Sequence, residues 1–363
     1  MRLAILTGGG DCSGLNAVIR AITKPAISQF GMEVFGFLDG FSGLVEGSFI
    51  PLSDLSVSGI LSRGGTILGT SNKADPFHYP AEPAKAGVFK DVSDRVIRNI
   101  RKMRLNGLIV IGGDGTLNIA YRLSKLGVSL VAVPKTIDND LAATDLTFGF
   151  DSAVAVVTDA VDRLHTTAES HHRIMVVEVM GRYAGWIALF GGVAGGGDVI
   201  LIPEIPFDLN KVSEKIISRA KHGKKFSIVV VAEGAHAQGG HHVIRKRIED
   251  SPDPVRLGGV GAWLSDELEK RTGKEARATV LGHLQRGGSP TSFDRILATR
   301  FGHEALRLFQ SQRFGRMVAW QSGDIASVPI ARAVRSLKTV PLNHPLIRIA
   351  RSLGTSFGDP KRD

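Results

Sequence analysis

Two carboxylates stand two residues apart in the run Pro134-Lys135-Thr136-Ile137-Asp138-Asn139-Asp140. In an extended segment, residues at that spacing face the same way. One can accept a proton from a hydroxyl while the other orients that base or a divalent cation. Asp and Asn also cluster in ordinary turns, but the density of this run favours chemistry. A further acid lies inside the turn Ile111-Gly112-Gly113-Asp114-Gly115-Thr116. Glycine lets a phosphate approach the backbone, and a lone carboxylate suits Mg²⁺, which keeps water and phosphate oxygens as its other ligands. Without chemistry, Asp114 would be expected as a helix N-cap. Near the end of the chain, Leu281-Gly282-His283-Leu284-Gln285-Arg286-Gly287-Gly288 sets a His and an Arg three residues apart beside a glycine pair. The guanidinium fork of Arg matches a phosphate monoester. In Glu178-Val179-Met180-Gly181-Arg182, Arg182 is a candidate for neutralising charge on a transferred group, although an Arg after a strand is often merely exposed. Hydroxyl attack on a phosphoryl group needs a positioned carboxylate, Mg²⁺ and cationic clamps, and these runs supply one of each.

Such groups must be carried on turns, and the surrounding pattern predicts them. Short β-branched runs precede glycine turns and helical spacing: strands at 3–6, 34–38, 108–111, 130–133, 173–180, 199–202, 227–232 and 280–281. Helices are predicted at 15–27, interrupted by Pro25, and at 91–105, 116–126, 152–164, 209–222 and 294–310, with Asp208 as an N-cap and Gly223 as a stop. The alternation predicts an α/β chain of two domains, with mainly parallel sheets flanked by helices and the site in the cleft between them. Residues 234–259 read as a long loop or insertion. Ligands of open α/β sheets bind beyond the carboxyl ends of the strands, which is where Gly8-Gly9-Gly10-Asp11-Cys12-Ser13-Gly14 falls. That run lacks the third glycine of a dinucleotide fingerprint, and no Walker P-loop occurs anywhere.

Composition narrows the class. The 363 residues include 43 Gly, well above the usual roughly 7%, without a collagen period. At a soft prior of about 150 residues per domain, the length points to two domains. The single Cys12 excludes an intrachain disulfide and a Cys-based zinc site. The apolar N-terminal run is too short for a signal peptide and no apolar run reaches membrane-spanning length, so the expected location is the cytoplasm, without membrane contact. The net charge of +10 is uneven: from Lys270 to Asp363 there are 17 Lys/Arg against 6 Asp/Glu. A nucleic-acid surface is one reading of that excess. Without zinc-finger or aromatic-rich RNA-binding motifs, and at 6% aromatic residues, no nucleic-acid partner is expected.

Taken together, LTGGGDCSGLNAVIR, RGGTILGTS, IGGDGT, PKTIDND, SHHRIMVVEVMGRYAGW and ATVLGHLQRGGSPTSFDRILA resemble the 6-phosphofructokinases, in order and over roughly residues 1–320. A nucleotide or lipid kinase sharing only GGDGT leaves PKTIDND and LGHLQRGGSP without a role. The resemblance implies glycolytic phosphorylation of the 1-hydroxyl of fructose 6-phosphate, with Mg²⁺ and either ATP or pyrophosphate as donor. It implies Asp138 as general base, with Thr136 and Asp140 beside it, Arg182 stabilising the transition state and Lys135 reaching the transferred phosphate. Gly9, Gly10, Asn72, Lys73, Gly113, Asp114, Gly115 and Thr116 would hold the donor, with Asp114 serving the metal. Met180, Gly181, Glu233, His283 and Arg286 would hold the sugar phosphate. Arg173 and Arg277 match arginines that reach it from a neighbouring subunit, so a homodimer or homotetramer with shared sites is expected. The implied domains are 1–149 plus about 286–334 for the donor and metal, and 150–285 plus about 335–363 for the sugar phosphate.

The donor signature is mixed. Pyrophosphate enzymes of the family carry Asp where Gly115 stands and Lys at the position of Lys135; short bacterial ATP enzymes carry Gly at both. An Asp at 115 would crowd and repel a nucleotide α-phosphate, so Gly115 favours ATP. Asn72 and Lys73 replace the Arg and Phe of the ATP pattern, with Lys73 a substitute contact. Of the basic residues that bind a regulatory nucleotide in the short bacterial enzymes, Arg20, Lys24, Arg163 and Lys224 or Lys225 persist. Asp54, His165 and Phe226 stand where others would be basic, which implies weak or absent regulation there. Lys135 and the insertion at 234–259 resemble the mixed-donor lineage.

Overall fold

The structure, a computed structural model, describes residues 1–80, 88–240, 244–247 and 255–359. In chain order its strands are β1 (Arg2–Thr7), β2 (Glu33–Phe37), β3 (Phe49–Leu52), β4 (Tyr79–Pro80), β5 (Phe89–Lys90), β6 (Gly107–Gly112), β7 (Leu130–Pro134) and β8 (Ile174–Val179). There follow β9 (Val199–Leu201), β10 (Ser227–Ala232), β11 (Ile244–Arg247), β12 (Val255–Leu257), β13 (Ala276–Val280), β14 (Arg316–Gln321) and β15 (Asp324–Pro329). The helices are α1 (Leu15–Ser28), α2 (Phe41–Glu46), α3 (Ser93–Lys102), α4 (Asp114–Lys125), α5 (Phe150–His171), α6 (Trp186–Ala194), α7 (Leu209–Lys221), α8 (Val260–Thr272), α9 (Ser292–Gln310), α10 (Ile330–Ala333) and α11 (Pro345–Ser352).

The larger sheet has the order β15-β14-β7-β6-β1-β2-β3. Its five inner strands are parallel, and β15 and β3 close the edges antiparallel. The smaller sheet, β13-β8-β10-β9, is parallel throughout. Strands β6, β8 and β10 are buried along their whole length, as parallel strands covered by helices on both faces must be. One apolar core runs from Ile5 and Val133 in the larger sheet to Val177 and Val230 in the smaller, through Val157 of α5 and Phe301 of α9. This shared core holds the two sheets at a fixed relation across the cleft.

Helix α1 continues through Pro25, where the sequence predicts an interruption. Proline removes only one ladder donor there, close to the helix end, and Gln29 N still bonds the Pro25 carbonyl at 3.0 Å. Helix α5 extends to His171, seven residues past the predicted end. The strand predicted at 280–281 is β13, paired from Ala276 to Val280 along β8. Asp208 does cap α7, accepting from Asn210 N at 2.8 Å. Several elements of the second half escape prediction, α8 and α11 among them, and α6 and the β14–β15 hairpin do so for opposite reasons. Helix α6 (WIALFGGVA) is apolar all round and shows no amphipathic period. The β14–β15 hairpin is half-exposed and mixes polar with apolar residues, and it turns on Ser322 and Gly323, both at positive φ. Within 234–259 the described part includes the ribbon β11–β12; residues 241–243 and 248–254 lie outside the described residues.

Candidate active site

Six parallel strands deliver the site residues at their carboxyl ends. From the larger sheet, β1 leads into Gly9 and Gly10, β6 into Gly113 and Asp114, and β7 into Lys135, Thr136 and Asp138. From the smaller sheet, β8 leads into Met180 and Arg182, β10 into Glu233, and β13 into His283 and Arg286. These residues line two cavities, of about 580 Å³ and about 690 Å³. Gly9, Gly10, Asn72, Asp138 and Arg286 belong to both. The first cavity also takes in Lys73, Gly113, Asp114, Gly115, Thr116, Lys135, Thr136 and Asp140. The second takes in Met180, Arg182, Glu233 and His283. Two chambers therefore meet at one carboxylate and one guanidinium.

The backbone of the first chamber is built for close approach. Gly9 sits at φ +77, and a side chain on Gly10 would fall 2.7 Å from Arg286 Nη1. Arg286 is in turn tied to the Asp11 carbonyl at 3.0 Å. Lys135 is 3% exposed and its ammonium donates to the Gly10 carbonyl. Burial lowers its pKa, with Asp11 and Asp138 among the charges opposing the shift. Gly115 is exposed, and a Cβ placed on it meets no atom within 4 Å, so that position opens on the chamber.

Burial raises the pKa of Asp138; Glu233 adds to the rise, while Arg286 and Lys135 counter it. Asp140 is pushed up to about 7 by burial and the neighbouring Asp138 charge. Glu233 is likewise pushed up to about 7, by burial and by Glu178. Carboxylates raised in this way are suited to proton transfer near neutral pH. Asp114 is half-buried, which raises its pKa, and accepts from Asn118 Nδ2 at 3.1 Å.

Gly181 lies between the cavity-lining Met180 and Arg182, at φ +135. Arg173 and Arg277 are not brought into the cleft of this chain. They lie at the amino ends of β8 and β13, where Arg277 pairs in register with Met175, whereas Glu178, at the carboxyl end of β8, lines the cavity. Both arginines are held there on Glu275. In parallel strands that is the wrong end of the sheet for this chain's own site. At the residues matched to the regulatory pattern, Lys24 is neutralised by Asp54 at 2.7 Å, and Phe226 packs edge-on against His165.

Sequence reasoning missed Glu178 and Gln285 as site-building residues. Glu178 is 3% exposed and accepts from Gly259 N at 3.1 Å and Gly261 N at 2.7 Å, which docks the start of α8 on the second chamber. Gln285 is buried and accepts from Met180 N at 3.3 Å. The only hint of Glu178 was an acid inside an otherwise apolar strand.

The profile of the family described as phosphofructokinase matches residues 2–309. The chain belongs to the phosphofructokinase family. Within that family it is 52% identical over 360 residues to ATP-dependent 6-phosphofructokinase 2 of Clostridium perfringens, covering 99% of this chain and 98% of the other. It is also 52% identical over 341 residues to pyrophosphate–fructose 6-phosphate 1-phosphotransferase of Streptomyces coelicolor, covering 94% and 96%. Among solved structures, phosphofructokinase of Saccharomyces cerevisiae superposes with a TM-score of 0.78 at 29% identity, over 92% of this chain and 45% of the larger yeast chain. The pyrophosphate-dependent phosphofructokinase of Nitrosospira multiformis shares the fold, with a TM-score of 0.80 at 22% identity. Phosphofructokinases of both donor types thus stand at similar distance from this chain.

Proposed function

We propose that this phosphofructokinase transfers the γ-phosphoryl group of ATP to the 1-hydroxyl of fructose 6-phosphate, giving fructose 1,6-bisphosphate in the cytoplasm. The observation that carries this is the junction of the two chambers at Asp138 and Arg286. A donor in the first and a sugar phosphate in the second would meet there, with a base and a cation at the meeting point. Asp138 takes the hydroxyl proton. Lys135, Arg182 and Arg286 offset the negative charge of the phosphoryl oxygens. Glu233 and His283 receive the sugar. Asp114 fits a Mg²⁺ carried by the donor, being a single carboxylate on the first turn of α4 facing the first chamber. Mg²⁺, when bound, neutralises phosphate oxygens. Among the described residues no cluster of three or more His, Cys, Asp or Glu could cage a metal, and a phosphate-borne Mg²⁺ needs none. We assign the donor to 1–149 plus about 286–334 and the sugar phosphate to 150–285 plus about 335–363. The support is that the first chamber is lined, Tyr183 apart, by residues of the former, and that Met180, Arg182, Glu233 and His283 are in the second.

ATP is favoured over pyrophosphate by the lining of the first chamber, which besides the glycine turns and acids takes in Phe41, Ala74, Ile119 and Arg122. Such a lining suits the body of a nucleotide and is more than a pyrophosphate needs. Initial rates with fructose 6-phosphate and Mg²⁺, comparing ATP with pyrophosphate, test this directly; equal or better turnover with pyrophosphate overturns it. Gly115→Asp sharpens the test. The open space at Gly115 makes the substitution harmless to the fold, so any effect falls on the donor. The added carboxylate should raise the KM for ATP roughly tenfold or more by repulsion. An unaltered KM would remove the donor from that position.

Arg173 and Arg277 line neither chamber of their own chain, which supports our further proposal of a homo-oligomer in which they serve a neighbour's site. Arg277→Ala should raise the KM for fructose 6-phosphate about 10- to 100-fold, the worth of a charged hydrogen bond, with kcat much less affected. A KM unchanged from the parent would withdraw the residue from the site.

A further inference from the structure

Asn139, between the two site carboxylates, has φ +49. A non-glycine residue keeps that left-handed conformation only where its surroundings impose it. The imposing contacts are on its own side chain. Asn139 Oδ1 accepts from Thr147 N at 3.1 Å and from Lys338 Nζ at 3.1 Å. Lys338 belongs to the segment after α10, nearly 200 residues downstream. Its ammonium also donates to the Thr144 carbonyl at 3.0 Å and the Asp145 carbonyl at 2.9 Å, so it forms a tripod under the loop that bears Asp138 and Asp140. Its main chain joins in, since Lys338 N donates to the Asp140 carbonyl at 2.7 Å.

The same segment grips the other side of the cleft. The Lys338 carbonyl accepts from Trp186 Nε1 at 2.9 Å, and the ammonium lies 5.5 Å from the Trp186 ring centre. Two residues on, Val340 N donates to Glu204 Oε1 at 2.7 Å, and that carboxylate also holds Gly185 N at 3.0 Å. Gly185 and Trp186 end the turn that carries Arg182. Residues 338–340 therefore bridge the base-bearing loop after β7 and the arginine-bearing turn after β8. Lys338 lines neither chamber.

We infer that Lys338 is a positioning residue for phosphoryl transfer, fixing Asp138 through Asn139 and spacing its loop from the Arg182 turn through Trp186. The inference rests on the reading of Asp138 as the base. Burial pushes the Lys338 ammonium down to about 8, against the pull of Asp145 and Asp140, so it remains charged at neutral pH. A half-buried ammonium held by three oxygen acceptors beside an aromatic ring is a costly device for mere stability, where an apolar side chain of similar length would serve.

The test compares Lys338→Met, Asn139→Ala and the double variant in the full-length protein. Lys338→Met keeps the main-chain bridge and the side-chain length but loses the tripod. Its kcat should fall about 10- to 100-fold, the usual consequence of loosening a catalytic group by a fraction of an ångström to one. The KM for each substrate should stay put, and the double variant should be no worse than the worse single one. A kcat per folded molecule equal to the parent's, or single losses that multiply in the double variant, would overturn the proposal. Should Lys338→Met fail to fold, Asn139→Gly carries the test. Glycine accepts the φ without strain but has no side chain to anchor, so a fall in kcat supports the positioning role and full kcat refutes it. The base reading fails separately, if Asp138→Ser keeps its turnover.

Discussion

Asp138→Ser lowers kcat roughly 10²- to 10⁴-fold, the span that a general base contributes, while fructose 6-phosphate still binds. Serine fits the volume but cannot hold a proton taken from an alcohol at neutral pH. The loss should fall on kcat because the proposed role of Asp138 is on the reacting hydroxyl, whereas the residues proposed to hold the sugar phosphate are others, Arg286 among them. Stability should move the other way. The folded pKa of Asp138 is raised above its unfolded value, mainly by burial. A carboxyl of that kind binds its proton more tightly when folded, so it opposes folding at neutral pH and stops doing so as pH falls below its unfolded pKa. Removing it should leave the melting temperature at pH 7 unchanged or higher, and the gain should vanish in acid. Steady-state kinetics with thermal melts at two pH values check both halves. An unchanged kcat rejects the base, and a lowered Tm at pH 7 rejects the electrostatic picture of the loop.

Much of this site was legible because its chemistry is written locally. Asp114, Asp138, Asp140 and the glycines around them sit in short runs whose spacing already implies phosphate, metal and base. The strand–helix alternation then places every run at the carboxyl end of a strand, and the fold needs nothing more to gather them. What stayed illegible depends on contacts between distant segments. Lys338 looks like one more cation in a basic tail until the chain folds it under Asn139. Glu178 is unremarkable until Gly259 and Gly261, 81 and 83 residues later, donate to it. The basic last quarter is equally mute in sequence about where its charges go. Part of its charge is paired locally in the fold: Arg307 with Glu304, Arg300 with Asp324, and Arg351 with Asp359. Arg286 enters the cleft, and Lys338 is half-buried beneath the Asn139 loop.

Lys135→Met lowers kcat about 10²- to 10³-fold, the usual loss on removing one preorganised donor from a site of developing charge. It also shifts the pH profile in a stated direction. Lys135 is 3% exposed, is fixed by the Gly10 carbonyl and stands among charged groups that include Asp138 and Arg286. Methionine preserves length and apolar packing but leaves no charge. Two consequences follow from that one change. The transferred phosphoryl group loses a cation that needs no reorganisation, which appears in kcat. Asp138 loses a charge that favours its ionised form, so its pKa rises further. The acid limb of kcat against pH, which burial already moves above the ordinary carboxylate range, should therefore shift to higher pH in the variant. Uniform damage to the fold would scale the whole profile without moving its limb. A lowered profile with an unmoved limb would mean that Lys135 serves the donor alone, and a limb moved towards acid would contradict the electrostatic influence of Lys135 on Asp138.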